Sequence, residues 1–532
     1  MKRKSWVVVG ILMVSAFLLL SCSKANKTAK VSSDKNGGVL VFAHSGDAVG
    51  LDPGREDDGE TFLVCDNIYE TLVEFVPGTT KLQPGLAESY EISKDGLHYT
   101  FHLRKNVKFH DGTDFNADAV LYSLNRQFKK DHPSFKYGPW KYWGYMSLND
   151  IVKSINKVDD YTVRIDLLKP ESPFLSDLAM NFAAIVSPTA AKKFKDDFKN
   201  NPCGTGPFKF VKWIKDDSIV LEKFNDYWGQ KAYLDKIVFK VIPEPTARYL
   251  ALKKGEADII DFPSPQDIQN IKDDASLKIV KQAGLNVGYL AMNTTKKPFN
   301  NVLVRQAINY AVNKADIMKA VYGDLGQPAK NPLPPTMWAY NNDIKDYQYD
   351  PAKAKELLKK AGLPNGFSTT IWAMPVSRPY NPNGRKVAEV IQAQLAKVGI
   401  KAKIVSYEWG TYLDKTNRGE HDMALLGWTG DNGDPDNFLW NLLSKDAAKI
   451  PAGNIAFWKN DKFTALIKQA KETSIQSKRK ELYDKAQVVF HNQVPWVCLA
   501  HSVVVEPMKA NVMDFKLYPT GKRVFHFVWL KK

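Results

Sequence analysis

The sequence predicts an α/β protein with partly parallel sheets, and three observations carry that expectation. Short strands of alternating polarity and amphipathic helices interleave along the chain instead of segregating. A helix over 386–398 passes by a short loop into a strand over 401–407, which is an α/β connection. Beyond an N-terminal tether, no linker, repeat or low-complexity stretch divides the chain into independent units.

In chain order, Lys2, Arg3 and Lys4 precede an apolar run from Trp6 to Leu20, followed by Ser21 and Cys22. The run is shorter than the ~20 residues a spanning helix needs, so 1–21 reads as a cleaved export signal. Leu19-Leu20-Ser21-Cys22 resembles the bacterial lipobox, which makes Cys22 the lipidated first residue of the mature chain. Residues 22–38, rich in Lys, Ser and Asn, read as a flexible tether, and the folded body is expected to begin near Val39. Leu97 to Arg104 alternates through Tyr99, Phe101 and Leu103, and Tyr161 to Leu167 through Val163, Ile165 and Leu167; both predict half-buried strands. Val304, Ala307, Ile308, Ala311 and Val312 recur at helical spacing, which predicts a helix from Asn301 to Tyr322. Between Asp350 and Gly362 a second helix is expected, with Asp350 as cap, Pro351 at the first position and Gly362 closing it.

Composition narrows the function classes. With 44% hydrophobic and 25% charged residues the chain is an ordinary globular one, and 12% aromatic residues suit a lined pocket or an aromatic core equally. The net charge of +16 comes from 74 basic residues interspersed with 58 acids, a solvated basic surface with no nucleic-acid face. With Cys22 assigned to lipid, Cys65, Cys203 and Cys498 remain, at no metal-like spacing. At most one disulfide can form, or all three are buried as small apolar residues. There is no HExxH, G-x-S-x-G, C-x-x-C or Walker loop, and the nine His are scattered, so neither an enzyme nor a cofactor is expected.

Longer motifs sharpen this. Leu86-Ala87-Glu88-Ser89-Tyr90, Asp95-Gly96 with the strand to Arg104, Phe109-His110-Asp111-Gly112, Gly204-Thr205-Gly206-Pro207-Phe208, Asp226-Tyr227-Trp228-Gly229, Val304-Arg305-Gln306-Ala307 and Tyr349-Asp350-Pro351 occur in this order. Together they resemble the signature of the peptide and nickel family of bacterial solute-binding proteins. Three further runs are similar to its dipeptide-binding branch: 284–289, 373–383 and 427–437. The resemblance implies a two-lobe clamshell with an extra subdomain in the larger lobe. Lobe I would comprise 39–284 plus 500–532, with the subdomain at about 66–200, and lobe II would comprise 285–499. Hinge strands near 284 and 500 would let the lobes open.

It also implies a receptor that closes on a short peptide, most of all a dipeptide, and delivers it to the permease subunits of an ABC importer. By position in the matched runs, Asp431 takes the α-ammonium and Arg378 the α-carboxylate, and physics agrees, because a buried charge is costly unless paired. Gly427, Trp428, Thr429 and Gly430 are expected to offer backbone groups in strand fashion. Tyr380 and Trp409 are expected as aromatic walls, and Asp57, in the acidic run 55–59, as a bias toward basic side chains.

Asp431, Asp434 and Asp436 also suggest a cation loop. Pro435, Asp436 and Leu442 stand where a calcium loop wants an acceptor, a Gly and a Glu, so no metal is expected. The alternatives on the same fold are a haem or dual haem and dipeptide receptor, and an envelope peptide sensor or chaperone. The expected location is outside the cytoplasm, as a lipid-anchored monomer. Some relatives carry disulfides at positions matching Ala43 with Ala257 and Asp446 with Trp458; this chain has no Cys there.

Overall fold

The computed structural model describes residues 35–532; the expected export signal, Cys22 and the expected tether as far as residue 34 lie outside the described residues. Among the described residues no helix is long and apolar enough to cross a membrane. Backbone bonds fix the chain from Gly37, whose N–H donates to the Tyr233 carbonyl, and the first strand is Val39–His44.

Two large apolar cores organise the protein. One draws on the chain from Leu40 to Ile259 and again from Val504 to Val528, the other on Leu285 to Ala500. The protein is a two-lobed α/β fold whose first lobe is built from both ends of the chain. Among the described residues, twelve strands join in one mixed sheet that runs through both lobes. In the first lobe Val39–His44 pairs in parallel with Lys236–Val241 and with Ile259–Ile260. In the second, Ser368–Trp372 pairs in parallel with both Lys401–Val405 and Met423–Thr429. The helix Gly384–Ala396, capped by the Asn383 side chain, connects the first two of these.

The lobes are joined by two antiparallel crossings. The strand Trp496–Lys509 lies against Asn286–Met292 in one lobe and Leu277–Ala283 in the other. Gly284 sits where the partner changes: a Cβ there would lie 2.2 Å from the Ser502 carbonyl oxygen and 2.0 Å from the Asn286 side chain. Asn286 occupies that space and ties the crossing together, donating to the Ser502 carbonyl (3.1 Å) and accepting from its N–H (3.0 Å).

A separate four-stranded antiparallel sheet contains His98–Leu103 and Thr162–Leu167, and Tyr99, Phe101, Leu103, Val163, Ile165 and Leu167 are all buried in it. The alternating pattern produced these strands because one face meets the core. Two of the signature motifs, 204–208 and 226–229, converge on one buried carboxylate nearby. Glu70 accepts from Thr205 (2.7 Å), Tyr227 (2.7 Å) and Trp228 (2.9 Å). Gly204 and Gly206 are required beside it, since a Cβ at either would press on the Ile68 carbonyl at 2.2 and 2.8 Å. These two motifs build the first lobe, and none of their residues lines the cleft.

One expectation from periodicity is corrected. The predicted helix from Asn301 to Tyr322 is broken: Val302–Ala311 ends at Val312, and Lys314–Ile317 begins anew under an Asn313 cap, before a wider turn over Met318–Tyr322. The Asn313 side chain accepts the Ala315 N–H and competes with continuation of the helix. Helix Pro351–Lys360 has its Asp350 cap and Pro351 start as expected. Cys65, Cys203 and Cys498 are buried free thiols. Ala43 and Ala257 are both buried in a small third cluster.

Candidate functional site

A cavity of about 190 Å3 lies between the lobes, walled by Asp57 to Leu63 and Thr520 to Arg523 on one side and by Arg378 to Tyr380 and Leu426 to Thr429 on the other. The structure brings Asp57, Arg378, Tyr380, Trp409, Gly427, Trp428, Thr429 and Asp431 onto this one wall system. Gly430 stands behind it, its N–H donating to the Leu285 carbonyl (2.7 Å) and its Cα against the Phe438 ring.

Arg378 is positioned by a tight turn. Arg378 and Asn381 exchange backbone hydrogen bonds of 3.0 and 2.9 Å, and Pro379 occupies the turn position its fixed φ favours. The turn sets Arg378 beside Tyr380 on the cavity wall. The guanidinium lies over Trp409 (5.1 Å) and Phe262 (5.8 Å). Its Nη1 reaches across the cleft to Glu60 (2.8 Å) and Ser45 (3.1 Å) of the first lobe. Its Nη2 is buried without a partner. Burial opposes charge on Glu60, yet Arg378 and His44 outweigh it and hold the carboxyl down at about 2. One edge of the guanidinium is therefore neutralised by the protein, while the other has no acceptor among the described residues.

Tyr380 rests on a pair of glycines facing each other across two strands. Gly288 pairs with Gly427; a Cβ on Gly427 would sit 2.2 Å from the Tyr380 ring, and one on Gly288 would sit 2.1 Å from its carbonyl oxygen. Tyr322 donates to that carbonyl (2.6 Å), which gives the broken helix of the second lobe a role in holding the site.

Asp431 follows the strand Met423–Thr429 and is fixed by Asn437. The Asn437 Oδ1 accepts from the Asp431 N–H (2.9 Å) and from Trp428 Nε1 (2.8 Å), while its Nδ2 donates to the Asp431 carboxylate (3.2 Å). From the opposite lobe Tyr142 donates to the same carboxylate (2.8 Å). No Lys or Arg reaches it among the described residues. Burial pushes its carboxyl up to about 7, against the bonds from Tyr142 and Asn437, and Asp57 and Asp66 add to the rise. Asp434 and Asp436, by contrast, turn away to Arg479 (2.7 Å) and Lys471 (3.3 Å).

The strand Met423–Thr429 has a free edge at the cavity. Its neighbour Ser368–Trp372 pairs with it only as far as Ala424. On the other side, the Gly430 N–H bonds to Leu285 and the register alternates from there. The N–H and C=O of Gly427 and Thr429 therefore point away from Asn286–Met292, toward the cleft. Leu425, two residues earlier, obeys the same alternation and spends its carbonyl on Tyr412 (2.6 Å).

Asp57 is held by Lys141 (2.8 Å) and Tyr145 (3.0 Å), and Lys141 also bonds Glu56 (2.9 Å). Asp58 caps the helix Gly59–Ile68, and burial, with Glu56 nearby, pushes its carboxyl up to about 6. Sequence reasoning missed Glu60, Tyr142, Lys141 and Asn437. Two of them left a trace: Glu60 directly follows the acidic run 55–59, and Asn437 closes the matched run 427–437.

The profile of the bacterial extracellular solute-binding proteins, family 5, matches residues 81–449. This chain belongs to that family. It is 47% identical over 504 residues to the dipeptide-binding protein of Escherichia coli K12, covering 92% of this chain and 94% of that one. To heme-binding protein A of Haemophilus influenzae it is 42% identical, over 97% of this chain and 98% of the relative. The periplasmic binding protein DppA of Helicobacter pylori, solved with the peptide STSA, superposes with a TM-score of 0.90 at 46% identity, covering 94% of this chain and 99% of that one. Family 5 members are extracytoplasmic solute-binding proteins, and the two lobes around an enclosed cavity are their architecture.

Proposed function

We propose that this family 5 protein captures short peptides, dipeptides foremost, as the substrate-binding component of an ABC importer. One observation carries the reading: a buried carboxylate with no cation, Asp431, and a buried guanidinium nitrogen with no acceptor, Arg378 Nη2, line the same cavity. A peptide zwitterion supplies both missing partners, its α-ammonium to Asp431 and its α-carboxylate to Arg378, with charge-assisted bonds at each end. Between them the free edge at Gly427 and Thr429 takes the peptide backbone as an added strand, which gives affinity without reading side chains.

The Arg378–Glu60 and Tyr142–Asp431 contacts cross the cleft, so each terminal group is completed only when the lobes meet. Release to the permease then follows from rotation at the two crossings near Gly284 and Ser502. Cys22 carries the lipid anchor in this reading, and the body works as a monomer tethered outside the cytoplasm. Incorporation of labelled fatty acid, lost in Cys22→Ala, tests the anchor.

Native mass spectrometry of protein purified without refolding tests the ligand. Retained masses of two to four amino-acid residues support the reading; a haem mass with no peptide overturns it in favour of the haem receptor, which the Haemophilus relative supports. Dependence of peptide uptake on this protein separates delivery from a sensing or chaperone role.

A further inference from the structure

The helix Asp436–Leu443 presents Asn437 and Asn441 on one face, a single turn apart. Asn437 is fully engaged with Trp428 and Asp431. Asn441 is not. Its residue is 1% exposed and lines the cavity, yet neither Oδ1 nor Nδ2 has a partner. A buried amide with no protein partner is complementary to a group that brings one donor and one acceptor.

The chamber that Asn441 lines is part of the same cavity, and Leu413, Leu426, Leu442 and Ile455 contribute aliphatic wall to it. The Ala452 N–H donates to the Asn417 carbonyl (2.9 Å), which ties the loop before Ile455 to the helix Trp409–Asn417. Gly453 closes the far side. A Cβ there would lie 2.5 Å from the Asn441 carbonyl oxygen and 3.6 Å from the Tyr145 ring, so only glycine fits between the two. An apolar sleeve with one donor and one acceptor at its end is complementary to an aliphatic stem that ends in a carboxamide.

We propose that this chamber receives the side chain of the peptide's first residue and that Asn441 determines its preference, favouring a primary amide over an apolar group of equal length. The position follows from the helix: Asn437 touches Asp431, and Asn441 stands about 5–6 Å further along the same face. The side chain on the carbon that bears the ammonium is the one that reaches it. The proposal rests on the peptide-binding reading above, and its test separates the two.

Calorimetry of the intact mature protein with Gln-Leu, Met-Leu, Lys-Leu and Leu-Gln provides that test, on wild type and on Asn441→Leu. Wild type should bind Gln-Leu about tenfold more tightly than Met-Leu, the scale of one buried hydrogen-bond pair. Asn441→Leu should abolish or invert that ratio, and should strengthen Leu-Gln, whose first side chain is apolar, instead of weakening it. Asn441→Ser, which keeps one hydroxyl, should be intermediate and serves if the leucine variant does not fold. An unchanged Gln-to-Met ratio in a variant that still binds dipeptides overturns the assignment. So does a preference for Lys-Leu that is indifferent to position 441, since the acidic wall would then set the choice. If wild type binds none of the four, the peptide reading itself falls.

Discussion

The two ends of the cavity hold opposite charges in opposite ways. At one end Arg378 arrives with a counterion already in place, Glu60, and shows the ligand only its second nitrogen. At the other, Asp431 has hydrogen bonds but no counterion, and its carboxyl sits at about 7. The first end is a stabilised pair with a spare valence; the second is a charge deficit that persists until a cation enters. Substitutions at the two ends should therefore lower affinity alike and affect the free protein differently.

The largest effect is expected for Arg378→Ala. It removes the carboxylate partner and also strands Glu60 in the interior, so affinity should fall by ~100-fold or more and stability by about 3–5 kcal/mol. Calorimetry and thermal unfolding read the two losses. Asp431→Asn comes next. Dipeptide affinity should fall by about 100-fold, while the unliganded protein should melt at or above the wild-type temperature at pH 8, because a buried unpaired charge has gone. Equal destabilisation by both substitutions would erase the contrast between the ends.

Acidification should produce a smaller effect. Asp431 must be ionised to hold an ammonium, so wild-type affinity should weaken by up to about tenfold per pH unit below 7. The free protein moves the other way. A carboxyl raised from 3.8 to about 7 binds more protons folded than unfolded between those values, so its cost to stability shrinks as pH falls. Asp431→Asn should flatten the affinity profile; an unaltered profile would assign the titration elsewhere. The smallest effect is expected for the Asp57→Ala, Asp58→Ala pair. Lys141 already neutralises Asp57, so affinity for Lys-containing dipeptides should drop by only about threefold, near 0.7 kcal/mol. No change at all would remove Asp57 from the site.

The sequence exposed one half of each of these arrangements. Asp431 and Arg378 were legible because each is a charge inside a long matched run, and the strands of the subdomain were legible because one buried face imposes a period of two. Glu60 was not, since 318 positions separate it from Arg378 and only folding brings them together. Tyr142 lies in an aromatic stretch that resembles any core segment, and Asn441 is one polar residue in an otherwise apolar turn of helix. The break at Asn313 was readable as a cap, but the apolar period on either side of it argued for continuity. The glycines beneath Tyr380 show the same limit: their need is set by its ring, nearly fifty residues from Gly427, and by its carbonyl oxygen, more than ninety from Gly288.

The strand Trp496–Lys509 belongs to both lobes at once. Deleting or inserting a single residue in it would turn inward-facing side chains outward on everything downstream, so a slip near its start would also carry into the other lobe. Substitutions along this segment should thus be tolerated far better than changes of length, and variation in length among functional variants should fall on the loops at either side of it.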